Sequence, residues 1–215
     1  MVGLVVAGAA QPAAAQMAGN PVYVPVGMGT GVNIAGDFGR GLNDASGKTT
    51  YFGGRATLSL PFLYVTAGAG MVKPSEDFVP GAESELALGG AVGLNVLNLP
   101  LLPVKVSAQV GAGYLSSGDA KQYDLPVSVA IALKLPTPGL SISPWVAPRL
   151  HVRRLDPGVG DANTDARFGA SGGVNATFGM VGVHLAADYV RFESSDVSPW
   201  IFGAGLSLGL TLPGL

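Results

Sequence analysis

The stretch WIFGAGLSLGLTL, residues 200–212, decides the fold. Phe202, Ala204, Leu206, Leu208, Leu210 and Leu212 share one parity, while Gly203, Gly205, Ser207, Gly209 and Thr211 share the other. Successive side chains of an extended chain point to opposite faces, so this is one apolar face and one face of small and polar residues. The split recurs at Val104, Val106, Ala108 and Val110 against Lys105, Ser107, Gln109 and Gly111. It recurs again at Val127, Val129, Ile131 and Leu133 against Ser128, Ala130, Ala132 and Lys134. Read along the chain, the alternation predicts about ten strands. They fall near residues 25–36, 51–60, 62–72, 85–96, 103–114, 123–135, 140–153, 167–178, 181–191 and 200–212. Most are about ten residues or longer, enough for a tilted strand to cross an outer-membrane core.

Composition narrows the choice of solvent. The chain has 215 residues, fitting one domain, with 33 Gly, 48% hydrophobic and only 12% charged residues. No stretch beyond residue 20 approaches the roughly 18–20 uninterrupted apolar residues of a spanning helix, because Gly, Ser, Asn or Thr breaks every run. Hydrocarbon cannot satisfy exposed backbone N–H and C=O groups, so a hydrophobic chain without such helices must close its sheet into a barrel or stay out of lipid. A soluble sandwich needs polar residues on its outward face, and here that face is Val, Leu, Ile and Ala. Most of the 12 Lys+Arg and 14 Asp+Glu fall in five long polar stretches or at strand-end edges. Arg55, Lys105, Lys134, Arg149 and Asp188 lie within strands, all on the inward parity. The net charge of −2, with no basic cluster beyond Arg153-Arg154, argues against a nucleic-acid partner. The absence of Cys excludes a disulfide framework and thiolate metal sites.

The connections sort into two kinds. Short ones near Leu60-Pro61-Phe62, Asn98 to Leu102, Pro136 to Gly139 and Phe178-Gly179-Met180 carry no charge. Long ones near 37–50, 73–84, 115–122, 154–166 and 192–199 are rich in Gly, Asp, Ser and Pro, as turns require. Strict alternation of the two kinds places both termini at the short-turn end. Phe38, Tyr51, Phe52, Tyr114, Tyr123, Phe168, Tyr189, Phe192 and Trp200 stand beside the long connections, and Phe62, Tyr64 and Phe178 beside the short ones. Two aromatic belts around an aliphatic band suit the two interfaces of a membrane.

On this pattern the chain, over roughly residues 20–212, resembles the small outer-membrane β-barrel proteins of Gram-negative bacteria. The resemblance implies an all-β, transmembrane, antiparallel up-and-down barrel with short periplasmic turns and longer extracellular loops. It also implies outer-membrane lipid and the outer-membrane assembly machinery as partners, with small solutes or ions as a third class. Such proteins commonly end in an aromatic residue that the insertion machinery reads, whereas here the last residues are Leu212-Pro213-Gly214-Leu215. The family includes pores, adhesins, structural proteins and a few enzymes. The expected role is a narrow porin-like channel or a passive structural barrel, without enzymatic activity. The alternatives are a surface interaction protein anchored by its barrel and, more distantly, an outer-membrane hydrolase. Residues 1–15, MVGLVVAGAAQPAAA, read as a secretory signal with Ala13-Ala14-Ala15 before the cleavage point, leaving 16–215 as the barrel.

Inside, small residues dominate: Gly27, Gly29, Gly31 and Asn33 on the first strand, and Gly169, Ser171, Gly173, Asn175 and Thr177 on the eighth. They leave room for a narrow aqueous lumen, or they serve close packing around a plug formed by loops, Trp145 or the N-terminal segment. Arg55, Lys105, Lys134 and Arg149 against Asp188 give this lining a net charge of +3, which favours anions in an open lumen. Arg149 and Asp188 stand at similar heights and are expected to pair. The lumen histidines are His151 and His184. His184 lies about 13 Å from Asp188 along one strand, at about 3.3 Å per residue, too far to hydrogen-bond, so any catalytic pair needs partners from other strands. No cofactor is expected. Asp156, Asp161 and Asp165 follow no Ca²⁺-loop spacing, and Gly27-x-Gly29-x-Gly31 has the spacing of strand glycines rather than of a nucleotide loop.

Overall fold

The computed structural model of the chain describes residues 17–25, 30–77, 80–98, 103–191 and 198–211. Eleven strand segments follow one another: β1 Gly31–Gly41, β2 Thr50–Ser59, β3 Leu63–Lys73, β4 Glu85–Asn98, β5 Val104–Ser117 and β6 Ala120–Leu133, then β7 Leu135–Thr137, β8 Leu140–Asp156, β9 Asn163–Phe178, β10 Val181–Val190 and β11 Trp200–Thr211. β7 carries the line of β6 onward along β8, so the wall has ten staves. Every neighbouring pair is antiparallel, and β1 pairs with β11 from Gly31↔Thr211 to Gly41↔Ile201, which closes the sheet. Closure leaves no sheet edge and satisfies the backbone within the wall, as a span through lipid demands. Among the described residues the only helix is a single 3-10 turn, Asp44–Ser46.

The two parities separate as read from the sequence. On β11 Leu206, Leu208 and Leu210 are exposed, and on β6 so are Val127, Val129, Ile131 and Leu133; their inward neighbours Ser128, Ala130 and Ala132 are buried. An aliphatic exterior around a buried polar interior inverts the soluble arrangement.

Four expectations change. The first strand begins at Gly31 rather than near residue 25 and continues to Gly41. Gly31 and Asn33 do face inward, whereas Gly27 and Gly29 lie outside the described residues. The connection expected over 115–122 contracts to the turn Gly118-Asp119, because β5 and β6 pair on to Ser117↔Ala120. With β8 of 17 residues and β9 of 16, this side of the wall stands taller at its loop end. Tyr51 and Tyr64 leave the aromatic belts and turn inward, at 0% and 3% exposure. Finally, the chain before β1 does not remain at the short-turn end. Residues 17–25 lie within the barrel, with Met17 packed against Tyr51, Val72, Ala87 and Leu115 at the loop end.

Candidate functional site

The lumen is the candidate site, and its occupant is the chain's own N-terminal segment. Pro21 and Pro25 bracket Val22-Tyr23-Val24, restricting the backbone to an extended course without regular pairing. Met17, Ala18, Asn20, Val22, Tyr23 and Val24 are each at most 4% exposed. Tyr23 and Val24 pack with Ala130, Ala132, Trp145, Ala147 and Ala186 from β6, β8 and β10. The Asn175 side-chain amide donates to the Val24 carbonyl at 3.2 Å, and the Tyr51 hydroxyl lies 3.3 Å from Met17 Sδ. Inward glycines seat the segment. A Cβ at Gly39 would stand 2.1 Å from the Gly19 carbonyl oxygen, and one at Gly203 would stand 2.6 Å from Pro21. Of the two roles open to the small-residue lining, packing against a plug is the one observed.

Three ionic clusters line the wall around this segment. In the first, Asp37 of β1 forms an ion pair with Arg55 of β2, its carboxylate 3.0 Å from Nε, and lies 2.7 Å from His184 Nε2 of β10. Tyr23 closes this cluster: the Arg55 guanidinium carbon sits 4.0 Å from its ring centre, and the His184 ring meets it edge-on at 4.4 Å. In the second, Arg149 of β8 grips Asp188 of β10, one bond being 2.7 Å, and Ser171 of β9 bonds to both. In the third, near the loop end, Asp124 of β6 lies 2.9 Å from His151 Nε2 and accepts from Arg153 Nε at 3.2 Å and the Gln122 amide at 2.6 Å. Asp165 and Arg167 of β9 pair beside it. Registers His151↔Arg167 and Arg153↔Asp165 bring these residues together.

The positions read from sequence fare unequally. Arg55, Arg149, Asp188, His151 and His184 face the lumen, and Arg149 pairs with Asp188 as expected. Each histidine takes its acid from another strand. Lys105 faces inward, half-buried near the short-turn end, and Lys134, on the inward parity of the β6–β7 line, is exposed at the short-turn rim beside it. Asp37, Asp124, Arg153, Asp165 and Arg167 were assigned to loops or strand edges and instead stand on the inward parity of β1, β6, β8 and β9. A signal for them existed, since Asp37 shares the parity of Asn33, and Arg153 that of Arg149 and His151. The net +3 is therefore withdrawn. Among the described inward positions that are buried or half-buried, Arg55, Lys105, Arg149, Arg153 and Arg167 are balanced by Asp37, Glu85, Asp124, Asp165 and Asp188.

Between the plug and the short-turn end lies a cavity of about 170 Å³ whose lining includes Asn33, Ser59, Thr177 and Ser207, with Tyr23, Arg55 and His184. Leu206 faces out, 65% exposed, and Ser207 faces this polar cavity. Leu206→Arg is expected to cost about 2–4 kcal/mol near the midplane, with Ser207→Arg costing clearly less. Denaturant titration of the barrel folded into phospholipid vesicles measures both. The reverse ranking would exchange inside and outside.

Geometry thus defines a closed, ten-staved antiparallel barrel with a lipid-type exterior and a packed interior. No family model matches the sequence, and no curated protein does. Among solved structures, the beta domain of the Bordetella autotransporter Brka gives a TM-score of 0.48 at 14% identity, covering 83% of this chain and 98% of that one. LpxR from Salmonella typhimurium gives 0.47 at 11%, covering 75% and 73%. The outer membrane protease OmpT from Escherichia coli gives 0.42 at 10%, covering 84% and 94%. The expectation of no enzymatic activity is corrected here: a protease stands among barrels of this class, so the class itself does not decide against catalysis.

Proposed function

We propose that this protein is an integral outer-membrane barrel whose lumen is closed by its own N-terminal segment, acting as a structural and anchoring barrel rather than a standing pore. The burial of residues 17–24 against the inner wall carries this reading. The three ionic clusters support it, because charges paired around a plug brace a wall, whereas a selectivity element needs charges that face water. The loop end has its own bracing. The Asn43 amide donates to the Ser198 carbonyl at 2.7 Å, and Asn43 Oδ1 accepts from the Trp200 backbone at 3.2 Å. Export by the signal at residues 1–15 belongs to this reading. Cleavage after Ala15 leaves a chain whose first described residue, Met17, sits at the loop end of the lumen.

Planar-bilayer recording of the purified protein tests the proposal. The expected result is insertion without stable single-channel steps. A persistent ohmic conductance in the unaltered protein would replace the plugged barrel with a pore.

A further inference from the structure

Among the described residues of the strands, outward-facing charge is confined to one rim and is almost all of one sign. On the lipid-side parity of the described strands stand Arg40 of β1, Lys73 of β3, Lys121 of β6 and Arg154 of β8, with Arg191 directly after β10. All five lie at the loop end. The acidic residue on this parity is Asp156, directly opposite Lys121. The buried and half-buried charges of the inward parity, by contrast, balance acids and bases.

The five cations also recur in one setting. Three cross-strand aromatic pairs ring the barrel on the same face: Phe38↔Phe52 with ring centres 5.0 Å apart, Tyr114↔Tyr123 at 5.4 Å and Tyr189↔Trp200 at 5.0 Å. Two residues loopward of one member of each pair, hence one step up the same face, comes a cation: Arg40 above Phe38, Lys121 above Tyr123 and Arg191 above Tyr189. Arg154 pairs in register with Tyr123 itself. Lys73 stands in the row Arg40↔Thr50↔Lys73, which sets Arg40 and Lys73 about 10 Å apart across the Thr50 hydroxyl at the usual strand spacing. Arg40 donates to that hydroxyl, and Lys73 makes an exposed ion pair with Glu76, of the kind that exchanges readily with another anion.

Amphipathic rings settle at the headgroup level of a bilayer, so a cation one step farther from the hydrocarbon meets the layer of lipid phosphates. We infer that this rim is a binding collar for phosphorylated lipid headgroups of the leaflet at the loop end, with Arg40, Thr50 and Lys73 as its best-formed seat. The inference rests on the barrel spanning a membrane and is independent of whether the lumen conducts. Guanidinium and ammonium groups donate to phosphate oxygens, Thr50 adds a hydroxyl donor, and the ring pairs pack beneath against glycerol or sugar.

The test is lipid titration of the detergent-folded barrel, read by native mass spectrometry, with phosphatidic acid against phosphatidylcholine. The unaltered protein is expected to retain phosphatidic acid preferentially. R40Q/K73Q, K121Q/R154Q and R191Q should each weaken it by roughly fivefold per cation removed, with Lys134→Gln at the opposite rim inert. Equal retention of both lipids, no loss in the variants, or displacement of the lipid by equimolar inorganic phosphate would overturn the collar. A second readout separates the premises: resistance to unfolding on unheated gels and insertion into phosphatidylcholine vesicles. A folded, inserted protein without lipid preference removes the collar alone, while failure to insert removes the membrane barrel with it.

Discussion

Replacing Asp188 with Ala is expected to destabilise the barrel by about 3–5 kcal/mol, because it leaves the Arg149 guanidinium buried without its carboxylate. Both side chains are fully enclosed, and Ser171 bonds to each of them, so three strands lose their common fastening at once. The attraction between the pair mostly offsets the cost of removing two charges from water. The loss on breaking the pair is thus larger than the net worth of keeping it. It follows that Arg149→Met combined with Asp188→Leu should recover most of the stability lost in Asp188→Ala. Reversible denaturant unfolding in detergent, followed by the fluorescence of Trp145 and Trp200, gives all the values required. A cost below about 1 kcal/mol for the single substitution would mean that water reaches the pair and that the lumen is wet at this height.

Deleting residues 17–25 is expected to convert a silent barrel into a conducting one. The segment supplies Tyr23 between Arg55 and His184 and the Val24 carbonyl that Asn175 holds, while the wall opposite it is largely Gly and Ala. Its removal vacates the space beside the inward Gly and Ala and strips the polar groups that met the segment of their partners, and water is expected to fill that space. Because the remaining buried and half-buried inward charges cancel, the conductance should show little ion preference, in place of the anion preference that the uncorrected lining implied. Gly203→Leu offers a milder version, driving a side chain into the space of Pro21 and displacing the segment without shortening the chain. A deletion variant that folds, inserts and stays silent would show that the wall closes without the segment.

The exterior was legible because lipid imposes a rule on every residue of one parity. Leu206, Leu208 and Leu210 or Val127, Val129 and Ile131 announce a face without reference to anything distant. The interior obeys no such rule, and its reading left out the charges nearest the long connections. Asp37 was given to a loop, and Asp124 and Arg153 to strand-end edges, because a charge at that height looks like a strand's end. Their acceptability inside the wall depends on partners such as Arg55, which are distant in sequence and are brought close only by register. The N-terminal segment was one of three candidates for a plug, beside the loops and Trp145. Nothing local to Val22-Tyr23-Val24 chooses among them, and only closure of the sheet shows that this segment lies in the lumen. The pairing of Arg149 with Asp188 was within reach because both stood at countable heights from their short turns.

The joint between β1 and β11 has a consequence for the order of assembly. Every other pairing in the wall joins segments that follow one another in sequence and can form as local hairpins, each closing a short loop. The ring alone requires the two ends of the strand series to meet, which makes it the slowest contact to find. Residues 17–25 immediately precede one side of that joint and lie within the ring it completes. They are either laid in the open trough before the joint forms or threaded afterwards through a bore that Tyr51, Tyr64, Trp145 and the three ion clusters narrow. Laying them in first gives the segment the part of a mandrel, an inner form around which the last two strands are brought together.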